Sequence, residues 1–68
     1  MIPFNVKLKA RILKLGNDRV HLGIYLNGHW HRIAARVDGI LLEEKQWING
    51  CFKRDSSGAI LFTRIKNE

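Results

Sequence analysis

The first part of the chain alternates apolar and polar residues, which is the period of a β-strand buried on one side only. From Phe4 to Ile12 every second residue is apolar, and Lys7, Lys9 and Arg11 stand between them. The alternation breaks at Ile12-Leu13, where we expect a β-bulge to bend the strand. This segment therefore predicts a first strand whose outer face is basic.

Four further strands are predicted, because alternating segments are separated by residues that favour turns. We expect them from Arg19 to Leu26, His29 to Val37, Trp47 to Arg54 and Ala59 to Lys66. A short helix from Ile40 to Gln46 fits between the third and fourth strands, although such a segment is too short to be helical alone. Asn49-Gly50 is compatible with either a strand interior or a hairpin turn.

Five short strands, at most one short helix and a bent first strand predict an all-β fold, a small closed barrel. The OB-fold and the SH3-like barrel are the two common choices, and a helix between strands three and four favours the OB-fold. Since the chain has 68 residues, we expect one domain over 1–68 with a core of modest size.

The dipeptide Asn27-Gly28 is the strongest short hairpin signal in the sequence, because a type I′ turn needs positive φ at both central residues. A two-residue loop pairs Leu26 with His29, and the aromatic and basic side chains then share the outer face of the hairpin. That predicted face consists of Tyr25, Trp30, Arg32, Arg36, Arg19 and His21, to which a neighbouring first strand adds Lys7, Lys9 and Arg11.

The net positive charge of the chain indicates what this face binds. Twelve Lys and Arg against six Asp and Glu give a net charge of +6, and a strongly basic small domain favours polyanions because phosphate contacts release counterions. Bases stack on exposed aromatic rings while cations follow the backbone. We therefore predict sequence-independent binding of single-stranded DNA, or of RNA as in cold-shock and S1-like barrels.

Other interpretations of the same face remain open. The pair Tyr25 and Trp30 could only stabilise the hairpin, the face could be buried in a homo-oligomer, or the positive charge could serve solubility alone. From a different class, an SH3-like interaction or inhibitor module would use the basic surface to dock an acidic protein.

Enzymatic and metal chemistry find little support in the sequence. The carboxylates are not spaced as an acid/base pair on strands, and we expect no enzyme, no cofactor and no small-molecule substrate. His29, His31 and Cys51 lack the spacing of a four-ligand zinc site, so no metal is expected. With a single cysteine, no signal-peptide core and no transmembrane segment, we expect a nearly complete cytoplasmic protein without membrane contact.

Two short motifs resemble the bacterial-type single-stranded DNA-binding proteins, the OB-fold family that includes primosomal replication protein relatives. Trp30-His31-Arg32-Ile33 resembles the family's entry to strand three, and Gln46-Trp47-Ile48-Asn49-Gly50 its opening of strand four; Lys53, Arg54, the following turn and 59–65 resemble its last hairpin. The likeness covers a little over half the chain.

The resemblance implies a role for four residues. Trp30 would stack on bases, His31 would lie at or near a subunit interface, Trp47 would be a structural aromatic, and Gly50 would allow close backbone passage. The chain departs from the family at Arg36, where a stacking Phe is common. It also has a shorter segment over 37–45, no long loop between strands one and two, and no acidic tail, so the resemblance does not extend to the family's oligomeric state or to the length of its binding groove.

Overall fold

A computed structural model describes residues 2–38 and 42–65 of the chain. Within these residues there are five β-strands and no helix, and accordingly no helix that could cross a membrane. The strands are β1 (Leu8–Leu15), β2 (Val20–Leu26), β3 (His29–Val37), β4 (Trp47–Arg54) and β5 (Ile60–Arg64).

The strands close into a barrel in the order β1-β2-β3-β5-β4, with β4 returning to pair with β1. Every neighbouring pair is antiparallel except β3 and β5, which run parallel and join only through Arg36↔Leu61 and Val37↔Phe62. This is an OB-fold-like barrel, and it confirms the all-β prediction. The short β3–β5 contact leaves most of one edge of β3 outside the ladder.

The β2–β3 hairpin has the register that the Asn27-Gly28 signal predicts. Asn27 and Gly28 have φ of 51° and 82°, and the ladder runs from Leu26↔His29 to Val20↔Ala35. Arg19, which the same register would set opposite Arg36, lies before this ladder, because β2 begins only at Val20.

The predicted bulge in β1 is confirmed. The register of β1 on β2 shifts between Ile12 and Lys14, so Arg11 faces Gly23 while Lys14 faces His21. An extra residue at this point lets β1 bend far enough to pair with β2 on one side and β4 on the other.

The barrel interior is filled by alternate residues of all five strands. Phe52 and Phe62, which face each other across β4 and β5, are fully buried with ring centroids 4.9 Å apart in an edge-to-face arrangement. The remaining buried side chains are smaller aliphatic residues, Ala10, Ile12, Val20, Leu22, Ile24, Ile33, Ala35 and Ile48. Alternation thus predicts the inner face within the strands, whereas Val6, which belongs to the same alternating series, precedes β1 and is 50% exposed.

The starts of β1, β2 and β5 differ from the prediction, and β2 begins at Val20 rather than Arg19. β1 begins at Leu8 rather than Phe4, because Asn5 has a positive φ of 62° and turns the chain, while Phe4 forms an isolated bridge to Phe52. Lys7 therefore precedes the strand. β5 covers Ile60–Arg64 rather than starting at Ala59, and the predicted end at Lys66 lies outside the described residues.

The predicted helix from Ile40 to Gln46 is wrong for its described part, 42–46, which forms a turn. The Gln46 amide donates to the Glu43 carbonyl oxygen at 3.2 Å, and Lys45 has a φ of 72°. A left-handed residue cannot continue a right-handed helix. Residues 39–41 lie outside the described residues.

Gly50 lies inside β4, so Asn49-Gly50 is not a hairpin turn. A Cβ at Gly50 would overlap the carbonyl oxygen of Thr63 on β5 and lie 2.9 Å from Cε2 of Phe62. The close backbone passage expected at this position is therefore present.

Candidate nucleic-acid interface

Three aromatic rings meet on the outer surface of the barrel. Tyr25 and Trp30 have centroids 5.4 Å apart with an interplanar angle of 64°, and Trp30 and Trp47 have centroids 6.1 Å apart at 43°. Their side chains are 58%, 55% and 47% exposed. We call these three residues the aromatic cluster. Large rings in mutual contact yet half open to solvent offer faces on which a flat ligand can stack.

The cluster is assembled from three strands. Tyr25 and Trp30 oppose each other in the β2–β3 hairpin, whereas Trp47 starts β4 and pairs with Arg11 of β1. Closure of the barrel between β1 and β4 therefore supplies the third ring. Trp47 shares its face with Asn49, while the intervening Ile48 is buried.

Arg11 is fixed beside the cluster by two interactions. Its guanidinium carbon lies 5.6 Å from the centroid of the Trp47 ring, and its Nε donates a hydrogen bond to the carbonyl oxygen of Lys45 at 3.4 Å. The Lys45 amide in turn donates to the Ile12 carbonyl oxygen at 2.6 Å. The 42–46 turn thus holds a cation over an exposed indole ring.

The surface beside the hairpin is apolar as well as aromatic. A Cβ at Gly23 would lie 3.1 Å from Cδ1 of Leu13, so the Leu13 side chain covers the space above this glycine. Leu13, the residue after the start of the bulge, is 40% exposed. The bulge therefore adds an aliphatic surface next to Arg11.

The strands carry basic side chains but no acidic ones. None of the five strands contains Asp or Glu. The carboxylates among the described residues lie outside the strands, and Glu44 accepts a hydrogen bond from the Leu15 amide at 3.3 Å. Arg32 is exposed opposite Gly23, and Lys9 is exposed opposite Asn49. Both cations belong to strands that carry or border the aromatic cluster.

The other predicted contact residues lie farther from the cluster. Arg36 follows Trp30 by six positions on β3, about 20 Å along an extended strand, and it pairs with β5. Arg19 and Lys7 are exposed and precede β2 and β1, and His21 is half-buried opposite Ala34. The structure therefore brings together Tyr25, Trp30, Arg32, Lys9 and Arg11, and leaves Arg36, Arg19, Lys7 and His21 outside this group.

The two candidate interface residues have different surroundings. Half-buried His31 lines an open groove with Ile2 and Ile60. Trp47, which the sequence leaves as either a core or a ligand-facing residue and as a possible interface residue, is an exposed member of the aromatic cluster. The alternation of Trp47 and Asn49 with Ile48 and Gly50 indicates that outward face from the sequence alone.

The His, Cys, Asp and Glu side chains of the described residues form no candidate metal centre, since no group of three or more of them within 2–38 and 42–65 is placed to hold a metal ion. The pKa of Asp55 is lowered, first by the hydrogen bond from the Ser57 hydroxyl and then by the Ala59 amide. These bonds close the β4–β5 turn.

No family model, curated protein or solved structure matches this chain. The resemblance to single-stranded DNA-binding proteins thus stays a prediction from the residues that carry it.

Proposed function

We propose that this protein binds single-stranded DNA largely independently of sequence, by stacking bases on the aromatic cluster and following the phosphates with Arg11, Arg32 and Lys9. The observation that carries the proposal is the contact between three half-exposed rings in a barrel whose strands lack acidic residues. Stacking is tolerant of sequence because every base has a π-face.

Stabilisation of the hairpin does not account for the whole cluster. A cross-strand aromatic pair contributes about 0.5–1.5 kcal/mol beyond its buried area, which explains Tyr25 opposite Trp30. Trp47 belongs to β4, outside that hairpin, and keeps 47% of its surface exposed. A ligand that stacks on all three rings explains why Trp47 lies exposed beside Trp30.

The basic side chains contribute the part of the binding free energy that depends on salt concentration. Each phosphate neutralised on a single strand contributes about −0.7 to the slope of log K against log salt, so three contacts from Arg11, Arg32 and Lys9 give about −2. Each stacked base adds about 1–3 kcal/mol by alanine substitution. Binding should therefore combine a moderate salt slope with a large dependence on the rings.

The test is a fluorescence titration with oligo-dT at two salt concentrations, using each tryptophan as a separate reporter. Trp47→Phe leaves Trp30 as the only indole, and Trp30→Phe leaves Trp47. Both reporters should be quenched, and quenching should weaken with salt. Trp30→Ala and Trp47→Ala should each weaken binding about 5- to 150-fold, the equivalent of one stacked base.

Lys53→Ala is the matched control, because Lys53 is an exposed cation at the far end of β4. It should change affinity far less than Arg32→Ala. Absence of quenching at low salt would overturn the proposal. The same titration with oligo-rU, duplex DNA and heparin separates single-strand stacking from general attraction to polyanions, since heparin has no bases to quench indole. The resemblance to the DNA-binding family is what favours DNA over RNA.

A further inference from the structure

One edge of β3 carries main-chain groups without a strand partner among the described residues. β2 covers the other edge from His29 to Ala35, but β5 joins β3 only at Arg36 and Val37. No other main-chain hydrogen bond reaches 29–34 from the described residues, 2–38 and 42–65. An unpaired edge of this kind is a template for another strand.

The geometry of the hairpin identifies which groups face outward. In a two-residue hairpin the residues flanking the turn, Leu26 and His29, form a hydrogen-bonded pair, and bonded and non-bonded pairs then alternate. The N–H and C=O groups of Trp30, Arg32 and Ala34 consequently point away from β2. The next residue in this series, Arg36, is the one that pairs with β5.

A groove runs along the same edge. It has a volume of about 510 Å³, and its walls include Trp30 to Ala34 together with Ile2 and Ile60. Ile2 and Ile60 are half-buried and pack against the core. A strand added to β3 would therefore place alternate side chains against aliphatic residues.

The charge around the groove is positive. Arg32 is exposed on β3, and Arg54, which pairs with Ile60, lies with its guanidinium carbon 4.9 Å from the ring centroid of Phe4. None of the described residues that line the groove carries a carboxylate. We propose that this edge binds an extended acidic segment of a partner protein by β-strand addition, through the main chain of Trp30, Arg32 and Ala34.

A second copy of the chain fits this edge less well. A two-fold antiparallel pairing that uses all three outward residues sets Arg32 directly opposite Arg32 of the other copy. Like charges directly opposite each other destabilise a sheet, and each copy carries a net charge of +6. Charge complementarity favours an acidic strand.

The test measures amide hydrogen exchange by NMR on the full ¹⁵N-labelled chain. The probe is a blocked seven-residue peptide that alternates glutamate and valine, and its control replaces glutamate with lysine. The glutamate peptide should protect the amides of Trp30, Arg32 and Ala34, and the lysine peptide should not. Ala34→Pro removes one edge donor and should weaken binding about tenfold, whereas Ala34→Thr keeps the N–H and should bind like the wild type.

Other results would overturn the proposal. Protection that needs no peptide and rises with protein concentration would assign the edge to a second copy. Protection by oligo-dT but not by the peptide would assign this edge to nucleic acid. No protection by either would show that the β3 edge does not bind an acidic strand. The wild-type exchange pattern decides these cases even where Ala34→Pro does not fold. Because the amides report on the edge itself, the result is independent of tryptophan quenching by oligo-dT.

Discussion

Replacing Gly50 by alanine should destabilise the barrel strongly, because β4 and β5 approach each other at this residue without room for a methyl group. The added Cβ would overlap the Thr63 carbonyl oxygen and lie 2.9 Å from Phe62 Cε2. Neither neighbour can give way easily, since one is main chain in a ladder and the other is a fully buried ring. Relief requires β4 and β5 to separate.

The magnitude follows from the kind of overlap. Overpacking a core costs about 1–3 kcal/mol, and a main-chain neighbour puts the cost at the upper end of that range. The alanine itself would otherwise stabilise slightly, since it reduces the entropy of the unfolded chain. A chain of 68 residues has an unfolding free energy on the order of 3–10 kcal/mol, so Gly50→Ala should remove a large fraction of it and lower Tm by about 10–20 °C.

Urea denaturation followed by circular dichroism measures this effect, with Gly58→Ala as the comparison. Gly58 has a φ of 90°, but a methyl group there would meet no atom within 4 Å beyond its chain neighbours, so its substitution reports backbone strain without overlap. Gly50→Ala should be the more damaging of the two. A Gly50→Ala variant as stable as the wild type would refute the close approach of β4 to β5 on which the closed barrel depends.

Three further predictions concern the turns and the cations. Lys45→Asn should preserve stability, while Lys45→Val should cost about 1–2 kcal/mol in urea denaturation, because the φ of 72° is disfavoured for a β-branched residue; equal stability of the two variants would contradict the left-handed turn. Since the pKa of Asp55 is lowered from 3.8, its contribution to stability is complete above that pKa and is lost as the pH falls through the lower folded value. The urea midpoint of the wild type should accordingly fall more steeply in acid than that of Asp55→Asn, and parallel curves would count against this carboxylate. In oligo-dT titrations Arg32→Ala should reduce the salt slope by about 0.7, and an unchanged slope would remove Arg32 from the phosphate contacts.

The local part of the fold could be predicted from the sequence. Alternation identifies the inner residues of each strand, and Asn27-Gly28 fixes the β2–β3 register from Leu26↔His29 onward. Both signals depend on neighbouring residues, whose geometry is set by the period of a strand and by turn stereochemistry. For the same reason Tyr25 and Trp30 are correctly placed opposite each other.

Features that depend on contacts between distant segments of the chain are harder to predict from the sequence. The 42–46 turn takes its shape from main-chain bonds between Lys45 and Ile12 and between Gln46 and Ile12, and no local pattern reveals a lysine at positive φ. The start of β1 is set by the left-handed Asn5 and by the bridge from Phe4 to Phe52. In these segments tertiary contacts override the alternation that predicts a longer strand and a helix.

Trp47 connects the fold to the proposed site more closely than the hairpin residues do. An isolated two-stranded hairpin is at best marginally stable in water, so Tyr25 and Trp30 alone would make a poorly ordered surface for stacking. Pairing of β4 with β1 brings Trp47 to Trp30, and the same strand reaches β5 through Gly50. Because one strand both closes the barrel and supplies the third ring, an ordered aromatic cluster requires the closed barrel, and a hairpin peptide with the same two rings should bind oligo-dT more weakly than the folded protein.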